Sequence, residues 1–227
     1  MGIIRADSLS EMEGVVHGFL NRNCGGSLKD VALIHGLRCI RTLMQVHGCR
    51  VCVIEGCTVP SAYENAGDGI LTARGAVGVG IYTADCVPVL LYEPRSGAVG
   101  AVHVGWRGAL QGVVVSALEC LDGELGARPR DVVAAIGPSI GSCCYEVDLD
   151  VAGRFMEYRP DSGSFLRDTS GGKFILDLKN AVKGELESCG VEKIEVLGHC
   201  TKCSLDFYSY RREGTGVGSQ LSFIGLV

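Results

Sequence analysis

Apolar and polar residues alternate along this chain in short runs whose period changes several times. Residues 14–20 (GVVHGFL), 50–56 (RVCVIEG) and the stretch from GDGILT at 67–72 read as strands. Residues 29–43 mix charged and apolar positions at near-helical spacing and predict a helix or irregular structure, and residues 57–67 are turn-rich. Residues 76–93 (AVGVGIYTADCVPVLLYE) predict a strand, a tight turn or bulge, then a buried strand. EPRSGA supplies a hairpin-type turn, and VGAVHVGW is the returning strand. Residues 109–122 carry apolar residues on one helical face, with the start expected just after Gly108. DVVAAIGPSIG at 131–141 predicts a strand running into a Gly-Pro turn, and a short helix follows from about Asp148. Residues 159–173 read as a polar loop, and FILDLKNAVKGELESCG reads as a helix stopped by Gly190. VEKIEVLGHC and the closing residues supply the last strands. Adjacent strand runs with three interspersed helices favour α+β with a mixed β-sheet core flanked by helices over a regular βαβ array. No repeat or linker divides residues 1–227, so a single domain is expected.

Composition narrows the classes of function. With 47% hydrophobic residues over 227 positions, a large core forms without staples. The net charge is −5 and the only basic pair singled out is Arg211-Arg212, which argues against a nucleic-acid partner. The polar start MGIIRADSLSEMEG lacks the apolar segment of a secretory signal. No apolar run approaches the roughly 18 residues of a membrane helix. A cytoplasmic protein without a membrane partner is expected. Its 12 cysteines then read as mostly free, buried thiols in a reducing compartment, with Cys143-Cys144 and Cys200/Cys203 able to pair on oxidation.

Chemistry concentrates at residues 83–107. Cys86 in TADC and His103 in HVGWRG each border an apolar strand, and His47 lies upstream in QVHG. Two imidazoles and a thiolate with one open position are the donor set of a catalytic zinc site. A Cys86 nucleophile with His103 as base is the rival reading. A buried structural cysteine is the plain one. Asp85 should point to the face opposite Cys86 unless a bulge intervenes, or else it bonds structure elsewhere. Asp68 in GDG reads as a turn residue with a site role as the alternative. Trp106 and Arg107 form either a packed pair or a planar cationic wall for a base or phosphate. Arg211 and Arg212 are an anion site or a solvated pair. The C-x-x-C of Cys200 and Cys203, with His199 and Cys143-Cys144, could make a second metal site, although ordinary core thiols are the favoured reading. No phosphate-loop or dinucleotide motif is present.

Taken in order, QVHG at 45–48, TADCVPVLLY at 83–92, HVGWRG at 103–108, GPSIGSCCYEV at 137–147, GHCTKC at 198–203 and YSYRRE at 208–213 resemble the YfiH family over nearly the whole chain. That family carries the descriptions laccase-like multicopper polyphenol oxidase, purine nucleoside phosphorylase and peptidoglycan editing factor. The resemblance implies a zinc site at His47, Cys86 and His103, with copper as an alternative ion. It also implies an α+β fold distantly shared with toxin deamidases of the cytotoxic necrotizing type. It implies phosphorolysis of adenosine, inosine and methylthioadenosine, and deamination of adenosine. Its partners would be a purine nucleoside and phosphate. Two departures stand out. NRNCGGS is a shortened Gly-rich N-terminal region, and Val217 stands where the family's Thr-Gly-Arg carries arginine.

The expectation is therefore a zinc-dependent purine nucleoside phosphorylase that also deaminates adenosine. Cys86, His103, Asp85 and Arg107 are its catalytic candidates, with Asp85 moving the proton in deamination. Asp68, Trp106, Tyr145, Arg211 and Arg212 are candidates for substrate contact. One alternative is a cell-wall editing amidase using Cys86/His103 or a metal-activated water. Another is a non-catalytic metal-binding protein. A polyphenol oxidase is disfavoured, because a multicopper enzyme uses about ten histidines and this chain has five, with no His-x-His.

Overall fold

The computed structural model describes residues 2–57, 66–169 and 171–227. The predicted turn-rich segment 57–67 lies largely outside the described residues. The elements run β1 (Ile3–Ile4), α1 (Asp7–Ser10), β2 (Val15–Leu20), α2 (Leu28–Ile34), β3 (Cys39–Arg41), β4 (Val51–Val53) and β5 (Gly69–Thr72). They continue with β6 (Val77–Thr83), β7 (Val87–Glu93), β8 (Ala98–Val104), α3 (Trp106–Leu110), α4 (Val113–Leu125) and β9 (Val133–Ile136). Then come β10 (Glu146–Asp148), α5 (Leu149–Tyr158), β11 (Leu166–Asp168), β12 (Lys173–Leu176), α6 (Leu178–Ser188), β13 (Lys193–Val196), α7 (Tyr210–Glu213) and β14 (Gln220–Leu226).

A six-stranded sheet in the order β13-β9-β7-β8-β5-β4 faces a five-stranded sheet in the order β1-β2-β14-β6-β3. Both sheets are mixed. β4–β5, β9–β13 and β3–β6 pair in parallel, while β7–β8 and β14–β6 are antiparallel. A small sheet, β10-β12-β11, lies beside them. The α+β class with a mixed core is thus what the fold displays.

The continuous apolar run of β7 follows from burial on both faces. Val87, Val89 and Leu91 pack with Leu118 and Leu121 of α4 and Leu186 of α6. Leu90 and Tyr92 turn the other way, onto Phe19, Val79, Ile81 and Ile224 of the five-stranded sheet. In α4 the buried residues Val113, Val114, Ala117, Leu118 and Leu121 recur at spacings of three and four, which makes one apolar stripe. α2 closes the outer face of the five-stranded sheet with Val31 and Ala32 against Ile40, Leu221 and Phe223.

Several boundaries differ from the sequence reading. The helix expected after Gly108 is two helices, starting at Trp106 and broken at Gly112, whose φ of 73° leaves the helical region. The loop expected at 159–173 contains β11, and the helix expected from Phe174 begins only at Leu178. Asp177 caps that helix by accepting from Asn180 N–H at 3.1 Å, so FILD belongs to a strand and its exit. Cys39 and Cys57 are disulfide-bonded. The other ten cysteines are free, as expected, but they are half-buried or exposed and not fully buried in the core. Among the described residues no helix is long and apolar enough to cross a membrane.

His17 sits in the middle of β2 with 2% of its surface exposed, and its Nε2 accepts from Ala6 N–H at 3.0 Å. Burial, helped by the Arg5 charge, lowers its pKa to about 4. The unfolded chain would protonate near 6.5. The folded form therefore loses stability as pH falls from about 6.5 to about 4, by up to about 3 kcal/mol. His17→Gln should remove that component. In urea titrations the stability difference between variant and parent should shift in the variant's favour between pH 7 and 4, and a constant difference would contradict the assignment.

Candidate metal centre and substrate pocket

The loop before β4, the β6–β7 turn and the last residues of β8 bring His47, Cys86 and His103 together. Their ligating atoms all lie within 4.8 Å of one another. The His47 and His103 rings meet edge to face, with centroids 4.7 Å apart. Gly105 closes beneath them, where a Cβ would stand 3.1 Å from His47 Cδ2 and 3.3 Å from Cys86 Sγ. A side chain there would press on both donors.

Asp68, entirely buried at the entry to β5, holds both the His47 turn and the His103 ring. Its carboxylate accepts the N–H groups of Val46 at 3.2 Å, His47 at 3.0 Å and Gly48 at 2.7 Å. These bonds hold His47 at a φ of 59°, a conformation that a non-glycine residue adopts at a cost. The same carboxylate lies 2.7 Å from His103 Nδ1. Burial alone would raise the Asp68 pKa, but the bonds from His103 and Gly48 outweigh it and hold the group below its ordinary value. Asp68 is therefore an ionised acceptor, Nδ1 is the donor, and Nε2 is free to face Cys86. That is the carboxylate–histidine arrangement that orients a metal ligand. Burial likewise opposes ionisation of Cys86, yet hydrogen bonds with His103 and His47 bring its thiol down to about 7. Burial opposes charge on His103, and Asp68 and Cys86 reverse this and raise it to about 9. Two imidazoles and a thiolate, oriented by a buried carboxylate, fit an ion of the zinc or copper type.

Above the trio opens a cavity of about 720 Å³, the size of a small-molecule site. Trp106, Arg107, Tyr145 and Arg211 line it. The Arg107 guanidinium lies 4.4 Å from the Trp106 ring centroid, and that of Arg211 lies 5.2 Å from Tyr145. Arg107 is exposed and makes no ion pair among the described residues. Arg211 NH1 donates to Glu146 O at 2.8 Å, which anchors it at the rim. Val217 also reaches the cavity, so that stretch of wall is apolar.

Three sequence candidates stand elsewhere than expected. Asp68 has no exposed surface and does not line the cavity, so it holds His47 and His103 without facing the cavity itself. Asp85 borders the cavity, but its carboxylate already accepts Thr201 Oγ1 at 2.5 Å, Ser209 Oγ at 3.0 Å and Arg211 N at 2.7 Å. A carboxylate committed to three donors is a brace for the β6–β7 turn and a poor proton carrier. Arg212 points away. Its NH1 donates to Thr201 O, Lys202 O and Ser204 O at 2.8–3.0 Å, and its NH2 donates to Phe207 O at 2.5 Å. Sequence reasoning missed Gln45, whose side chain mimics a strand by bonding Tyr82 O at 2.7 Å and Tyr82 N at 2.8 Å. Its place beside Val46 and His47 was the available signal.

Residues 27–227 match the family described as multi-copper polyphenol oxidoreductase laccase. A purine nucleoside phosphorylase of Deinococcus radiodurans is 39% identical over 81% of this chain and 69% of its own. Purine nucleoside phosphorylase ORF3 of Streptomyces griseus is 37% identical over 75% of this chain and 68% of its own. The fold superimposes on the crystal structure of hypothetical protein YfiH of Bacillus licheniformis with a TM-score of 0.86 and 30% identity, covering 96% of this chain and 94% of that one. YlmD of Geobacillus stearothermophilus gives 0.86 at 27% identity, covering 100% and 96%.

Asp68→Asn tests the orienting carboxylate. It keeps the shape but turns an amide donor toward backbone donors or toward His103. Zinc affinity, measured against a chromophoric chelator, should fall about 10- to 100-fold. Unchanged affinity in a folded variant would remove Asp68 from the site.

Proposed function

The chain belongs to the family described as multi-copper polyphenol oxidoreductase laccase, and from that premise we propose that it is a metal-dependent purine nucleoside phosphorylase acting in the cavity above His47, Cys86 and His103. The observation that carries the reading is the combination in one cavity of a metal-fitting trio, two arginines and two aromatic side chains. The relatives named purine nucleoside phosphorylase support the same reaction class.

His47, Cys86 and His103 would hold the ion, zinc by the donor set, with copper competing on affinity. When bound, it supplies a Lewis acid at the cavity floor. The side chains do the rest. Arg107 and Arg211 offer charge-assisted bonds to phosphate oxygens. They take on anion binding where Val217 contributes only apolar surface. Trp106 and Tyr145 give planar surfaces for the purine. A phosphate oxygen bonds to C1′ of the ribose as the C1′–N9 bond breaks. The electron pair leaves on the purine, which takes up a proton from solvent, and the products are the free base and ribose 1-phosphate. Adenosine, inosine and methylthioadenosine all present this bond.

Deamination of adenosine is the weaker activity in this reading, because the hydrogen bonds to Asp85 leave it no free oxygen for proton transfer. An oxidase mechanism finds little footing. Of the five histidines, His17 and His35 lie elsewhere and His199 packs against Phe207. A second reading is favoured by the Cys86–His103–Asp68 array, which has the order of a thiol, a base and an orienting acid. It would suit acyl transfer from a cell-wall amide.

Metal-loaded protein should convert adenosine to adenine only when phosphate is present, and ribose 1-phosphate should match adenine mole for mole. Inosine appearing regardless of phosphate would replace phosphorolysis by deamination. Amide cleavage that survives chelation and stops on Cys86 alkylation would favour the thiol reading. Arg107→Ala should raise the KM for phosphate about 10- to 100-fold, as expected for the loss of one charge-assisted contact, with a smaller change in kcat.

A further inference from the structure

A second cluster of donors lies apart from the His47–Cys86–His103 trio. Cys143 and Cys144 sit on the turn that follows β9, and Cys200 and Cys203 sit on the turn that follows β13. β9 and β13 are parallel neighbours, and their pairing extends through a bridge between Ser139 and Cys200. Thr201 N–H donates to Ser139 O at 3.0 Å, so the two turns leave the sheet side by side. All four Sγ atoms fall within 4.8 Å of one another.

The spacing has a chemical meaning. Cys144 Sγ is 3.3 Å and Cys143 Sγ 3.6 Å from Cys203 Sγ. A disulfide needs about 2.05 Å. Four sulfurs about 2.3 Å from a central ion stand about 3.8 Å apart along the edges of a tetrahedron. The observed contacts lie near that edge length and far from a bond. Gly141 N–H points at Cys200 Sγ from 3.2 Å, the kind of donor that steadies a thiolate. A Cβ on Gly141 would come within 3.2 Å of Cys143 Sγ and 3.3 Å of Cys200 Cβ, so the turn closes on the sulfurs only because it lacks one. Lys179, largely buried, donates from Nζ to Leu197 O at 2.8 Å and His199 O at 2.7 Å, which puts a cation beside the Cys200 turn. It would partly offset four thiolates around a divalent ion. Cys143 and Cys203 are exposed, which gives an ion a way in.

We propose that Cys143, Cys144, Cys200 and Cys203 form a second metal centre, a closed tetrathiolate site for a thiophilic divalent ion of the zinc type. With four protein ligands it keeps no open position, so its role is structural. It ties the turn that carries Tyr145 to the turn that carries Thr201. Tyr145 follows Cys144 and lines the cavity. Thr201, between Cys200 and Cys203, donates to Asp85, which braces the turn carrying Cys86. His199 is exposed beside the cluster, its ring near Phe207, and is not among the donors.

The test uses Co²⁺ alone as the probe on full-length protein, purified under reductant and stripped by chelation. Wild type, His103→Ala and the double variant Cys143→Ser/Cys203→Ser are reloaded and followed by absorption and by native mass spectrometry. His103→Ala should keep one equivalent of Co²⁺, with the strong sulfur-to-cobalt charge-transfer bands of a tetrathiolate. The double variant should lose those bands and that equivalent. A reduced His103→Ala protein that takes up no Co²⁺, or a double variant with an undiminished metal count, would overturn the proposal. Alkylation of the wild type guards against a variant that fails to fold. Zn²⁺ should protect all four cysteines, and chelation under reductant should expose them. Labelling that is indifferent to Zn²⁺ would also overturn the site.

Discussion

A single buried carboxylate, that of Asp68, fixes the geometry on which the candidate centre depends. An ionised acid with no exposed surface is costly unless every lone pair is met. Here three backbone N–H groups and one imidazole N–H meet them. That demand is what orders the site. It pulls residues 46–48 into a turn tight enough to put His47 in the left-handed region, and it sets the tautomer of His103. The Asp68 carbonyl also accepts His103 N–H at 2.7 Å, so one residue holds both the backbone and the ring of that histidine. Loss of the carboxylate would therefore disturb two donors at once.

Asp85 applies the same physics on the opposite side. It also sits at a positive φ, 92°, and gathers a threonine, a serine and a backbone N–H from the chain near the C-terminus. Its partners lie 116 to 126 residues away in sequence. Cys86 is therefore aimed by a strained turn whose strain is offset by contacts far along the chain. The two aspartates flank the reactive trio without needing to touch a substrate, and both are acidic residues whose charge the fold has consumed.

This division explains what the sequence made legible. The apolar runs of β7 and β8 announced themselves because both faces of β7 are buried, and Cys86 and His103 stood out as polar residues at the ends of those runs. The grouping of His47 with them came from the chemistry of a Cys/His donor set and was strengthened by family resemblance, since a positive-φ histidine in QVHG has no periodicity to betray it. Asp68 read as a turn residue, and Asp85 as either a proton carrier or a residue bonded to structure elsewhere; the fold displays the second, which sequence alone could not choose because burial is not a local property. An aspartate beside glycine looks the same whether it faces water or four donors. The errors at α3, β11 and β12 have a simpler cause. Short elements carry too few residues for a period to appear, and tertiary packing set their limits.

Charge closes the argument about what the cavity accepts. The chain as a whole carries −5, so long-range attraction gives an anion no reason to approach. Any preference for phosphate must come from local focusing. Inside the cavity Asp85 is screened by its donors, while the exposed guanidinium groups of Arg107 and Arg211 are held against the Trp106 and Tyr145 rings. A cation held on a ring is already placed when a ligand arrives, which lowers the ordering cost of binding. Val217 leaves the adjoining stretch of wall apolar, so under the proposed phosphorylase reading these two groups carry phosphate binding. In that reading, phosphate recognition depends on where two guanidinium groups are held and not on how many the surface carries.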